Sequence, residues 1–297
     1  MVYINISDKA EELAFKITNY AKRAIIFEVS TTPKPGLVDR LNDGAHKDMN
    51  FLTFLKSSSA IFKGLKSCAL EGVNFKGENS IELMDRIRNP GISCEKDMLR
   101  ATVGVNTHKG IIFSLGVLLA ASGKLITLRK DSSLKAEEIC SEVKRMAQGL
   151  IHKDFMNLED KENLTHGELL YKRDGIRGIR GEVEEGFPTV RNYALPLIRE
   201  WSLKRELSLN ELFLEILMNI MANNEDTNVL ARAGKAGLDY TKKSAKEFIK
   251  LGGIRKKGYE ELLQELNRDF VCKNISPGGS ADLLAVSIFL ASMEGVF

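Results

Sequence analysis

The sequence predicts an all-α protein, a single globular domain of roughly ten to twelve helices. Three observations carry that expectation. Apolar residues recur at helical spacing along most of the 297 residues. Alternating strand patterns bounded by turns are scarce, and the best of them, ITLRK at 126–130, is weak. No proline- or serine-rich linker and no internal repeat divides the chain, so one domain over 1–297 is the economical reading.

The elements follow in order. Residues 8–29 place Leu13, Ile17, Tyr20, Ala21, Ala24 and Ile25 on one face, behind Ser7 as N-cap. The same periodicity predicts helices near 50–71, 80–89, 93–101, 110–122, 133–151, 165–172 and 187–205. Ser208-x-x-Glu211 is a capping box, and it opens a helix over 208–222 with Leu212, Phe213, Ile216, Leu217 and Ile220 on one stripe. Helices near 227–251, 256–271 and 278–294 complete the chain. The polar stretch 152–166 reads as a surface loop.

Composition narrows the function classes. With 43% hydrophobic residues the chain can bury a core without disulfide or metal support. A net charge of +3, from 43 basic and 40 acidic residues with no long basic run, argues against nucleic acid as partner. The four cysteines match no metal or redox spacing, and four histidines are too few for a multi-histidine cage. The strongest membrane candidate is the segment 110–128, but its uncharged run ends at Lys124, so a buried helix is expected. The first 25 residues carry Asp8, Glu11 and Glu12 and no unbroken apolar stretch, so no leader is expected. The expectation is a soluble cytoplasmic protein without a membrane partner.

Five glycine-punctuated, charged segments lie between the predicted helices: 31–49, 103–110, 174–188, 223–234 and 274–282. In a helical globule such loops can converge where helix N-termini present bare N–H groups. In the first, two prolines flank Lys34, and Asp39, Arg40, Asp43, His46, Lys47 and Asp48 follow. A stiffened loop of this kind offers cations for phosphates and carboxylates for a metal ion or acid/base work; the bland alternative is a solvated surface loop. The second sets Asn106 or Thr107 as cap, with His108 and Lys109 at the positive end of a helix dipole. The third contains Gly175, Gly178 and Gly181 at every third position, with Arg177 and Arg180 able to fork onto phosphates. It is neither a dinucleotide fingerprint nor a Walker loop, and its alternative is a hinge. In the fourth, Asp226 or Thr227 is an N-cap, or else a carboxylate for Mg2+ or a sugar hydroxyl. The fifth reads as Ser276 at N-cap and Pro277 at the first helical position, then Gly278, Gly279, Ser280 and Asp282. Two glycines in a first turn cost about 1 kcal/mol each, which suits close approach of a ligand to the backbone.

Together PKPGLVDR with GAHKDM, GVNTHKG, GIRGE with GFPTVR, DTNVLAR and SPGGSADLLA resemble, in order and over residues 28–285, the triphosphoribosyl-dephospho-CoA synthase family. One departure is Arg-Ala-Gly at 232–234, where Arg-Gly-Gly is expected. The resemblance implies a loop-lined nucleotide site and a reaction between ATP and 3′-dephospho-CoA. Its product, 2′-(5″-triphosphoribosyl)-3′-dephospho-CoA, forms with release of adenine. That product is the prosthetic-group precursor for the acyl carrier protein of citrate lyase or malonate decarboxylase, handed on to a carrier-modifying transferase.

Such a displacement at the ribose C1′ needs a base for the attacking hydroxyl, a donor at the departing purine and cations on the triphosphate. The allocation is Asp39 or Asp282 as base and His46 or His108 as donor. Lys34, Arg40, Lys109, Arg177, Arg180, Gly278, Gly279 and Ser280 are assigned to the phosphates, and Asp43, Asp48 and Asp226 to Mg2+. A nucleotide N-glycosidic hydrolase is the competing enzyme, and a non-catalytic nucleotide-binding protein the competing class. A homo-oligomer is compatible with either.

Overall fold

The structure, a computed structural model, describes residues 6–129, 134–156, 158 and 164–297. In chain order its helices are α1 (Ile6–Ser30), α2 (Phe51–Asn74), α3 (Ser80–Arg86), α4 (Arg88–Ala101), α5 (Lys109–Arg129), α6 (Ala136–Met146) and α7 (Leu150–Phe155). They continue as α8 (His166–Asp174), α9 (Gly178–Glu184), α10 (Leu195–Lys204), α11 (Leu209–Asn223), α12 (Thr227–Lys250), α13 (Tyr259–Cys272) and α14 (Gly278–Met293). A π-helical turn (Val190–Ala194) leads into α10, and a 3-10 turn (Gly253–Arg255) follows α12. Among the described residues there is no strand, and the all-α class stands.

Two helices without a polar face organise the packing. In α5 nearly every residue from Ile111 to Ile126 is buried, and in α14 nearly every residue from Ser280 to Met293. A helix apolar all round must be covered all round. Accordingly α1, α2, α4, α6 and α14 surround α5, while α1, α5, α11 and α12 contact α14. By length and composition α5 can cross a membrane, but 83% of its apolar window is buried inside this fold, as expected for a core helix. The core is one continuous cluster from Ala14 to Met293. A small separate cluster of Ile151, Phe155 and Leu158 lies under α7 and α8.

Several expectations are corrected. The strand at 126–130 does not form, because α5 continues to Arg129; Lys130 lies outside the described residues. Helix 133–151 is two helices, broken where Gly149 adopts a left-handed conformation (φ 77°) before α7. Residues 178–184, read as loop, form α9. These two changes raise the helix count above the expected range. α1 already includes Ile6, one residue ahead of Ser7, the predicted N-cap. The capping box of Ser208 and Glu211 is present.

The consequence for function is directional. The starts of α2, α5, α12 and α14 and the end of α1 meet at one end of the core, around the loop that follows α1.

Candidate active site

The loop 31–49 is built rather than loose. Asp39 is 1% exposed. Its Oδ2 accepts from Thr32 Oγ1 (2.9 Å) and the Lys34 amide (2.8 Å). Its Oδ1 accepts from the amides of Leu41 (2.7 Å) and Asn42 (3.0 Å). Such a carboxylate organises its own loop, and with both oxygens occupied it is poorly placed to take a substrate proton. Outside ties fix the loop further. Asn210 exchanges two hydrogen bonds with the Thr32 backbone, and Asn267 accepts from the Gly36 amide at 2.8 Å. Arg232 donates to the Ala45 carbonyl and to Asn274 Oδ1.

Lys34 is not a free phosphate ligand. It is 1% exposed, and its Nζ donates to the carbonyl of Glu28 (2.8 Å) and to the Glu28 carboxylate. Burial pushes the Glu28 carboxyl up, and the Lys34 charge pulls against that.

Asp226 joins two helix starts. Its Oδ1 accepts from the amides of Asn228 (3.0 Å), Val229 (3.3 Å) and Gly279 (3.2 Å). Its Oδ2 accepts from the amide and the hydroxyl of Ser280 (2.7 and 2.9 Å). One carboxylate therefore caps α12 and clamps the first turn of α14. This corrects three expectations. Asp226 has no oxygen left for Mg2+. The amides of Gly279 and Ser280 are spent on Asp226, and that of Gly278 on the Ser276 carbonyl (2.9 Å), so they are not a phosphate cradle. The two glycines admit protein, not ligand: a Cβ at Gly278 would meet Asn228 Nδ2 at 2.8 Å, and one at Gly279 would meet Asp226 Oδ1 at 3.1 Å. Nor is Ser276 the N-cap. That position is Pro277, and Ser276 Oγ instead pairs with His46 Nε2 at 2.8 Å.

Asp282 is different. It is half-buried, and it receives no hydrogen bond from any described residue. Its carboxylate lies over the first turn of α5, where a Cβ at Gly110 would collide with it. Burial raises this carboxyl well above the ordinary range, and the charges of Glu28 and Asp226 raise it further. Beside it the amides of Gly110 and Ile111 take no acceptor among the described residues, leaving the positive end of a 21-residue helix open.

The two histidines are both neutral in character. His108 is fully buried, with Nδ1 at 2.6 Å from Ser57 Oγ and Nε2 without a partner. Burial, aided by the Lys34 charge, lowers it to about 3. His46 is lowered by burial and by Arg232, with Asp48 opposing (Nδ1 to Oδ1 3.6 Å).

The cations divide into free and engaged. Among the described residues Arg40 and Lys47 are exposed and make no ion pair, while Lys109 is exposed and shares Glu95 at 3.2 Å. Arg177 pairs with Glu185, and Arg180 is held by Asp154 (2.8 Å) over the ring of Phe155. In this fold their guanidinium groups thus tie to the end of α9 and to α7. Asp43 and Asp48 are exposed. Among the described residues no three Asp, Glu, His or Cys side chains are arranged to hold a metal ion. The set Asp43, Asp48 and Asp226 is therefore not a preformed cage.

All five loop segments nevertheless meet. The charge of Lys34 reaches His108, His46 bonds Ser276, and Asp282 covers Gly110. Asp226 holds Ser280, and Gly178 packs against Thr227. Sequence reasoning missed Glu28 and Ser57. Glu28 had a faint signal, a single acid ending the apolar run AIIFEV just before the proline loop. Ser57 had none, since a serine within a helix is unremarkable.

Comparison with known proteins gives a consistent result. The family model for ATP:dephospho-CoA triphosphoribosyl transferase matches residues 14–297. A relative from Escherichia fergusonii, 2-(5''-triphosphoribosyl)-3'-dephosphocoenzyme-A synthase, is 38% identical over 275 residues, covering 93% of this chain and 90% of its own. A protein of the same name from Klebsiella pneumoniae is 36% identical over 279 residues, covering 94% and 91%. No solved structure matches.

Proposed function

Since the chain belongs to the ATP:dephospho-CoA triphosphoribosyl transferase family, we propose that it moves the triphosphoribosyl group of ATP to the 2′-hydroxyl of 3′-dephospho-CoA and releases adenine. The observation that carries a catalytic reading is Asp282: a carboxyl without a protein partner, raised in pKa, where five loop segments meet. A base must be unoccupied and matched to the working pH. Asp39 and Asp226 fail the first condition; Asp282 meets it, and burial moves its carboxyl upward from the ordinary range, the direction a base needs.

In the step, the C1′–N9 bond of ATP breaks with its electron pair going to N9, and the 2′-oxygen bonds C1′. Asp282 takes the hydroxyl proton and later yields it to solvent, while the adenine anion, hydrogen-bonded as it leaves, takes one proton from solvent. His108 Nε2–H is the donor toward the purine. Arg40, Lys47, Lys109 and the open amides of Gly110 and Ile111 receive phosphate oxygens. Mg2+ enters as part of the nucleotide substrate, needing only one or two protein carboxylates besides phosphate; Asp43 and Asp48 are the exposed candidates. Asp39, Asp226 and the Lys34–Glu28 pair position these groups. The product then serves as prosthetic-group precursor for citrate lyase or malonate decarboxylase, passed to a carrier-modifying transferase.

The test is adenine release from ATP by purified protein. Release that requires dephospho-CoA, and a fall of about 10²–10⁴-fold in Asp282→Asn, are expected. Equal release without dephospho-CoA would instead identify a hydrolase.

A further inference from the structure

Outside the carboxylates, a hydrogen-bond chain runs from half-buried Thr107 through buried Ser57 to buried His108. Thr107 Oγ1 donates to Ser57 Oγ at 2.7 Å, and Ser57 Oγ lies 2.6 Å from His108 Nδ1. A serine hydroxyl has one hydrogen. With Thr107 as donor to Ser57, the Ser57 hydrogen points to Nδ1 and the imidazole hydrogen falls on Nε2; Thr107 Oγ1 itself lies 3.4 Å from Nδ1. Nε2 is buried and without an acceptor, and an unmet buried donor costs about 1–3 kcal/mol. Phe54 packs edge-on against the ring at 5.0 Å between centroids, and the backbone amide of His108 donates to Met98 Sδ at 3.2 Å.

We propose that Thr107 and Ser57 form a hydroxyl relay that locks His108 in the Nε2–H tautomer, making Ser57 a positioning residue for a neutral donor to an acceptor nitrogen of the departing purine. This rests on the transfer reaction above. The donor role fits the charge balance, since a neutral imidazole spares the developing cation at C1′ a positive neighbour. It stabilises electron density arriving on the purine without itself giving up a proton.

The experiment uses the full chain with 15N-labelled histidine, with the His108 signals assigned by loss in His108→Gln. Wild type should show Nδ1 unprotonated and Nε2 protonated. Ser57→Ala and Thr107→Val, the latter keeping shape but not the hydroxyl, should give mixed tautomers. Their kcat should fall about 10–100-fold, with KM for ATP within about twofold. Thr107→Ser, which restores the hydroxyl, should behave as wild type in both readouts. A wild-type ring protonated on Nδ1 would overturn the relay, as would unchanged tautomer and kcat in both relay variants. Loss of kcat in Ser57→Ala with an unchanged tautomer would reduce Ser57 to a packing role. The NMR arm reads the relay even if wild type releases no adenine, which would count against the reaction itself.

Discussion

Asp282 shows how a residue becomes reactive through what surrounds it. Its nearest acidic neighbours, Asp226 and Glu28, are each satisfied, one by five hydrogen bonds and the other by Lys34. Asp282 carries the burial without the compensation. Two outcomes follow. Its raised pKa means the native state favours the protonated form, whereas the unfolded chain ionises at the ordinary carboxylate value. The stability this costs is absent below the unfolded pKa and grows as pH rises toward the folded pKa. Asp282→Asn should therefore raise Tm at neutral pH by roughly 2–5 °C, a gain that vanishes near pH ~3, even as activity is lost; differential scanning calorimetry across pH checks this. Glu28→Gln removes a negative neighbour of Asp282, so the acid limb of kcat/KM should move to lower pH. A limb that stays in place or moves up in a folded Glu28→Gln protein would show that Asp282 does not titrate there.

Elements contribute through their ends. The start of α14 is unfavourable by itself, with two glycines in its first turn and Pro277, which offers no side-chain acceptor, at the N-cap. Asp226 compensates from the neighbouring helix, and α12 and α14 share one cap. Asp226→Ala should cost about 2–4 kcal/mol, more than the ~1 kcal/mol typical of one cap, because donors at two helix starts lose their acceptor; urea unfolding measures it. The departure Arg-Ala-Gly at 232–234 also becomes intelligible at this level. The helical path of α12 breaks at Gly234 (φ 64°, ψ −167°), so glycine is needed there and not at 233. Ala233 fills the space over Gly237, where an added Cβ would collide with its own. Arg232, just before the break, is left to join the loop 31–49 to Asn274.

For the whole molecule, the core and the site occupy opposite parts of the same helices. Leu118 is fully buried in α5 and lies about 12–15 Å along the helix from Gly110. Leu118→Ala should cost about 2–5 kcal/mol in stability while KM for ATP stays within about twofold; paired urea and kinetic measurements test that separation. The helical class was legible because periodicity reports local burial, and a helix such as 208–222 announces its own start with Ser208 and Glu211. The five segments were legible as a group, since glycine and charge between apolar helices have few uses. What each residue does there was not. Lys34, Arg180, Gly278 and Asp226 read as ligand groups, yet the fold spends all four on itself.

By itself, then, the sequence determined the helices, the apolar α5 and α14 that must be buried, and the set of loops that carry the chemistry, because these follow from short-range pattern and composition. Only the tertiary structure decided which polar groups are satisfied and which stay open. Glu28, in the last turn of α1, reaches Lys34 six residues on, but Asp226 reaches Ser280 and Ser57 reaches His108 across about fifty residues. Pairings of that range are fixed by packing, and no local pattern in the chain encodes that half-buried Asp282 receives no hydrogen bond among the described residues while Asp226 and Glu28 do.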